Sequence, residues 1–194
     1  MSPGARALGV AFSGDGDDSG SLVACAAVVR ADRVADGLAL DARPVADGAA
    51  TAAVQSLLAR VDRPDASHLL VAGVAPTWFD VVDLGAVRAA ADRPVLAVSF
   101  EPSPGLADAI DEAFAGEARA ARRARYDALP SRRRVDVGER RLFVRALGCA
   151  HDEAARVVRA HTPEGQGRPE PLRVARLGAR AGRALAGDGG AADR

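Results

Sequence analysis

Residues 7–40 read ALGVAFSGDGDDSGSLVACAAVVRADRVADGLAL, and this stretch decides the fold. Residues 7–12 and 22–29 are apolar runs of strand length, and the polar stretch Ser13-Gly14-Asp15-Gly16-Asp17-Asp18-Ser19-Gly20 between them has turn composition. Ala31-Asp32-Arg33 then reverses the chain into a third run at 34–40. Three consecutive runs joined by such connections predict an antiparallel meander. The period changes next: Val54, Leu57, Leu58 and Val61 fall at i, i+3, i+4 and i+7, which predicts an amphipathic helix over 48–62, stopped by Arg63-Pro64.

Further out, residues 68–71 read as a buried strand, followed by a Gly-Pro loop carrying Trp78 and Phe79 and by a helix over 82–91. Residues 94–100 are too apolar for an exposed edge and suit the middle of a parallel sheet. Leu106, Ile110 and Phe114 mark a third helix, and residues 117–129 an arginine-rich fourth. A hairpin at 134–137 and 142–146 precedes helices at 152–160 and 171–184. Three antiparallel strands followed by α-β-α-β is the order of a ribonuclease H-like α/β fold, a mixed sheet with helices on both faces, here with a small C-terminal hairpin and helices. The expectation is one domain over residues 1–186 and a disordered tail over 187–194.

Composition narrows the function. All 26 residues of the Lys+Arg count are arginine, matched by 26 Asp and Glu, so the formal net charge is zero. The total hides a division: residues 1–118 carry 8 Arg against 17 Asp and Glu, net −9, whereas residues 119–183 carry 17 Arg against 7 acids, net +10. Arg173, Arg176, Arg180 and Arg183 share one face of the last helix, and Val174, Leu177, Ala181 and Leu185 fall on another. Clustered arginine suits phosphate, because guanidinium groups fork onto phosphate oxygens and displace counterions. The same pattern also describes a solvated face, or one that docks on the acidic half of a second copy in a homo-oligomer. Aromatic residues, at 4%, do not supply a base-stacking platform. Two distant cysteines, Cys25 and Cys149, indicate neither a disulfide framework nor a zinc knuckle, and no apolar run reaches membrane-spanning length, so a cytoplasmic protein without membrane partners is expected.

Asp15-Gly16-Asp17-Asp18-Ser19-Gly20 opens like a calcium loop, but Ala26 stands where the loop's bidentate Glu is required, so a solvated turn is the better reading. His68, His151 and His161 show no metal-ligand spacing, and nucleophile-elbow, Walker A and dinucleotide-binding motifs are absent. Asp80, Asp83 and Glu101 follow strands and are the weak candidates for catalytic carboxylates or metal ligands at the sheet's C-terminal edge. Asp83 also suits the N-cap of the next helix. In Arg168-Pro169-Glu170-Pro171-Leu172-Arg173, Pro171 fits a first helical turn and Glu170 the positive end of its dipole.

That run continues through Val174-Ala175. Together with Thr162, Leu8-Gly9-Val10, Leu69-Leu70-Val71-Ala72-Gly73 and Phe79-Asp80-Val81-Val82-Asp83, it resembles the archaeal endonuclease dU family, relatives of endonuclease V. The resemblance spans residues 5–184 and implies a ribonuclease H-like fold, with Mg²⁺- or Mn²⁺-dependent cleavage of nucleic acid near deaminated bases. Such chemistry needs carboxylates to hold the cations. Where typical members carry Asp after the first-strand Gly, this chain has Ala11 and Phe12, and where they carry Asp before the second-strand Gly, it has Ala72. The expectation is a nucleic-acid-associated protein that contacts phosphate through Arg168, Arg173, Arg176 and Arg180, with metal-dependent cleavage reduced or lost. The alternatives are an active nuclease with a rearranged metal site, and a non-enzymatic oligomeric interaction protein.

Overall fold

A computed structural model describes residues 2, 4–14, 20–77 and 79–189. The calcium-loop-like acids Asp15, Asp17 and Asp18, together with Trp78, lie outside the described residues. The meander forms as the sequence dictates: β1 (Arg6–Gly14) pairs antiparallel with β2 (Ser21–Arg30), which pairs antiparallel with β3 (Ala35–Pro44). Each strand extends past its apolar run, because ladder hydrogen bonds continue into the polar flanks. After α1 (Ala49–Val61), β4 (Ala66–Ala72) returns parallel to β1. After α2 (Leu84–Ala91), β5 (Val95–Ser99) lies parallel to β4.

α3 (Ala107–Ala113) and α4 (Gly116–Asp127) lead to the hairpin of β6 (Arg133–Val137) and β7 (Arg140–Leu147). β7 pairs antiparallel with β5, so the hairpin extends the sheet to seven strands in the order β3-β2-β1-β4-β5-β7-β6. β5 is therefore interior, as its apolar sequence requires, but parallel on one side only. The chain ends with α5 (His151–Ala160) and α6 (Glu170–Gly189). α6 runs to Gly189; residues 190–194, within the tail expected over 187–194, lie outside the described residues.

Strand alternation divides the core. Leu8, Val10, Phe12, Leu69 and Val71 face α1 and α2, whereas Ala7, Ala11, Leu70 and Ala72 face α5 and α6. The seat of α6 adds what the spacing of its arginines and leucines leaves open, namely which residues meet the sheet. Leu172, Ala175 and Ala179 are buried, while Leu177 and Leu185 are exposed. The reason is close approach: a Cβ at Gly9 would fall 2.3 Å from the Pro171 carbonyl carbon, and one at Gly178 would fall 2.5 Å from Cys25 Sγ. A helix this near the sheet seats small residues at the contact and, beyond Leu172 in its first turn, leaves Leu177 and Leu185 at the flanks.

Candidate functional site

β1 and β4 bring the two positions of interest together. Their parallel register sets Val10 against Val71, so Ala11 and Ala72 follow side by side where the ladder between the two strands ends, Ala72 as the last residue of β4. Both face α6, packed with Ala27, Val29, Ala175 and Val174. This is the geometry in which paired carboxylates could share a cation. The side chains there are methyl groups, which offer no oxygen.

Above these strand ends stands a group of cations. The Arg168 guanidinium lies 4.0 Å from the centre of the Phe100 ring, just beyond β5. Burial holds its pKa below the usual arginine value, and the nearby positive charges of Arg176 and Arg180 push the same way. Among the described residues no carboxylate lies within ion-pair distance of these three guanidinium groups. Arg173 differs: it grips the Glu170 carboxylate at 2.7 and 2.6 Å, which lowers the Glu170 pKa and fixes the first turn of α6. Of the four arginines expected to meet phosphate, three converge with unspent charge and one is committed to a helix terminus.

Beside Arg168 opens a cleft of about 470 Å³ lined by Gly73, Ser99, Phe100, Glu101, Tyr126 and Arg132, among others. Its far wall is held by arginines with structural duties. Arg132 lies over Phe143 at 4.1 Å and donates to the carbonyls of Glu101 and Ser103, while Arg145 donates to the Pro130 carbonyl and to the Tyr126 hydroxyl. Phe100, Tyr126, Arg132 and Arg145 are not marked as site residues by any motif in the sequence. Phe100 carries a readable signal, an aromatic residue ending an apolar strand, whereas the other three are brought in only by the pairing of β7 with β5.

The candidate carboxylates sit elsewhere. Asp80 accepts from the backbone N–H groups of Gly48 at 2.8 Å and Ala50 at 2.6 Å, which ties it to the N-terminus of α1 on the opposite face from Ala11 and Ala72. Burial raises its pKa, against the lowering effect of those two hydrogen bonds. Asp83 is the N-cap of α2, accepting from Ala86 N–H at 2.9 Å. Glu101 is exposed at the rim of the cleft, and its backbone carbonyl serves Arg132. Among the described residues no three His, Cys, Asp or Glu side chains come together in a way that could hold a metal ion. The donor set among the described residues does not fit a divalent cation.

The histidines lie at the other end of the sheet or on the surface. His68 Nε2 is 3.0 Å from Glu153 Oε1, and His161 is buried with Nδ1 3.0 Å from the Val157 carbonyl. Thr162 is likewise structural, donating to the Val158 carbonyl at 2.7 Å at the end of α5. The opposed charge segments meet within the chain. Arg122 and Arg125 of α4 pair with Asp47, and Arg123 pairs with Asp111 and Asp127.

Comparison with known proteins agrees with this architecture. The structure is similar to a protein of unknown function from Archaeoglobus fulgidus, with a TM-score of 0.75, 22% identity, and coverage of 91% of this chain and 97% of that one. It is similar to Ciona intestinalis endonuclease V in complex with a 24mer DNA containing an inosine followed by a ribo-adenosine, at a TM-score of 0.62, 13% identity, and coverage of 93% and 86%. The catalytic domain of human endonuclease V aligns at a TM-score of 0.57, 18% identity, and coverage of 94% and 83%. These likenesses establish the ribonuclease H-like fold. No curated protein sequence matches the chain. None of its helices, over the described residues, is long and apolar enough to cross a membrane. The model of the family described as endonuclease dU matches residues 3–182, nearly the whole length, and the chain belongs to the endonuclease dU family.

Proposed function

We propose that this family member binds nucleic acid at the C-terminal edge of its sheet, with Arg168, Arg176 and Arg180 on the phosphates, and that metal-dependent cleavage is reduced or lost. One observation carries the reading: Ala11 and Ala72 stand side by side where the family resemblance calls for a cation-binding pair, and Arg168, stacked on Phe100 just beyond β5, lies within electrostatic reach of Arg176 and Arg180, with no carboxylate partner for the three among the described residues. Like charges held together without a counter-charge repel one another, and an anion that bridges them relieves the repulsion. Each guanidinium can fork onto phosphate oxygens. Arg173 contributes only where the nucleic acid displaces Glu170. Family membership and the DNA-bound endonuclease V neighbour support nucleic acid as the anion.

Hydrolysis of a phosphodiester by this fold calls for Mg²⁺ or Mn²⁺ to activate water and stabilise the leaving oxygen. Two alanines cannot supply that chemistry, Asp80 gives both carboxylate oxygens to the N-terminus of α1, and Asp83 gives Oδ1 to that of α2. The test is binding of fluorescent strands carrying deoxyuridine, inosine or neither, in DNA and RNA form, titrated with salt. Affinity falls steeply as salt rises from ~50 to ~200 mM, by ~0.9 in the log-log slope per phosphate contacted on duplex DNA. Binding that ignores salt, or none at the low end, would sink the reading.

A further inference from the structure

Val34, Leu38, Leu40, Leu177 and Leu185 are the exposed large apolar side chains of the described residues, at 47, 59, 42, 54 and 74% exposure. All five belong to two neighbouring elements: β3 with the turn before it, and α6. The contact is direct. A Cβ at Gly178 would reach Leu38 at 4.0 Å, and one at Gly182 would meet Leu40 at 3.2 Å. α6 therefore starts against β1 at Gly9, crosses β2 at Cys25 and arrives over β3, the edge strand. From there its last turns leave the sheet, and Ala184, Leu185 and Ala186 are exposed although the helix runs to Gly189. Leu177, Ala181 and Leu185, at i, i+4 and i+8, line one flank of this overhang.

We propose that this surface is a homodimer interface, the overhanging end of α6 in one copy lying across β3 of a second copy. The shape is self-complementary, as a two-fold contact requires, because each copy offers both an apolar edge and an apolar helix end. The size agrees. The five side chains expose on the order of 500 Å² of apolar surface, at the upper end of the ~300–600 Å² that a monomer leaves in its largest patch. A standard interface takes ~800 Å² per partner, so the patch forms the apolar centre and the alanines around it complete the area.

The geometry of β3 also disfavours other occupants. An extended peptide would add to the β3 edge through backbone hydrogen bonds, but the Leu40 and Asp36 carbonyls on that strand already accept from Arg60 and Arg63. The five side chains carry no charge, which makes the patch a poor match for nucleic acid. The inference is independent of the phosphate-binding reading, which concerns the other flank of α6.

Sedimentation velocity on the full chain, without nucleic acid, decides it. The expected result is a dimer at tens of micromolar that persists in about 1 M salt, where the Debye length is ~3 Å and charge-driven contacts fade. Leu185→Glu and, separately, Leu38→Glu each shift the species to monomer with an unchanged far-ultraviolet dichroism spectrum, since both side chains point into solvent within a single chain. A wild-type monomer at ~100 µM, a dimer dispersed by salt, or a dimer retained in both variants would overturn the proposal.

Discussion

The two flanks of α6 are made by the same twenty residues on the same backbone, yet they pose opposite problems to solvent. One carries Arg176 and Arg180 beside Arg168, at the strand ends where Ala11 and Ala72 sit; the other carries Leu177, Ala181 and Leu185 along the β3 edge. The charged flank gains from an anion and loses that gain as salt rises, whereas the apolar flank gains from burial and is insensitive to salt. Between them lies a seat of small residues that does nothing but bring the helix close. The contrast teaches that the helix is a divider: its position is fixed by glycine and alanine, and its two exposed sides are free to serve different contacts.

The most damaging change is therefore to the seat. Gly9→Val puts side-chain carbons where the Pro171 backbone stands, and lifting α6 costs about 3 kcal/mol or more, beyond ordinary overpacking because backbone and not a flexible side chain is struck. Thermal unfolding would show the loss, and both flanks should fail together; survival of either function at full strength would mean that α6 does not position it.

Changes to one flank separate the two. Arg176→Ala with Arg180→Ala removes two phosphate contacts, weakens strand binding by ~1.5–3 kcal/mol for each charged hydrogen bond lost and flattens the salt slope by ~2 units, without touching self-association. Equal loss of dimer and of strand binding would erase the distinction between the flanks.

Asp80 sharpens the comparison from the opposite face of the sheet. Asp80→Ala leaves the N–H groups of Gly48 and Ala50 without their acceptor and should cost about 1–2 kcal/mol of stability, while strand binding in EDTA stays as it was. An Asp80→Ala protein of normal stability that loses metal-dependent nicking would assign this carboxylate to catalysis.

The smallest expected effect is on pH dependence. Burial keeps the His161 imidazole below its ordinary pKa, so the unfolded chain takes up that proton first as pH falls. The stabilisation from keeping it neutral is complete above the ordinary value of ~6.5 and is lost as pH drops below it, at no more than ~1.4 kcal/mol per pH unit. His161→Leu should flatten the melting temperature between pH 6.5 and the folded-state pKa; an unchanged slope would point to carboxylates instead.

The sequence carries the fold well because its signals are local. The apolar runs of β1 and β2, the polar turn composition between them, and the 3.6-residue stripe at Val54 and Leu57 each report on neighbours a few positions away. It leaves open which residues of α6 are buried, because the depth of a helix on a sheet depends on the residues beneath it. Gly9 and Cys25 are more than 150 positions from the glycines and proline they meet, and no helical wheel contains them. The site divides the same way. The missing acids at 11 and 72 were legible from motif position, and the arginine spacing in α6 was legible from periodicity. The capture of Asp80 by α1, the pairing of Arg173 with Glu170 and the stacking of Arg168 on Phe100 are tertiary facts.

Under the proposed function, nucleic-acid binding persists where metal-dependent cleavage is reduced or lost. Purified protein in excess over an end-labelled strand containing deoxyuridine or inosine, with Mg²⁺ or Mn²⁺ and a matched EDTA sample, tests both halves in one tube when mobility shift and strand length are read together. The expected result is a salt-sensitive shift, equal with metal and with EDTA, and a strand that stays whole. Metal-dependent nicking that disappears in EDTA, or an unshifted strand at low salt, would contradict it.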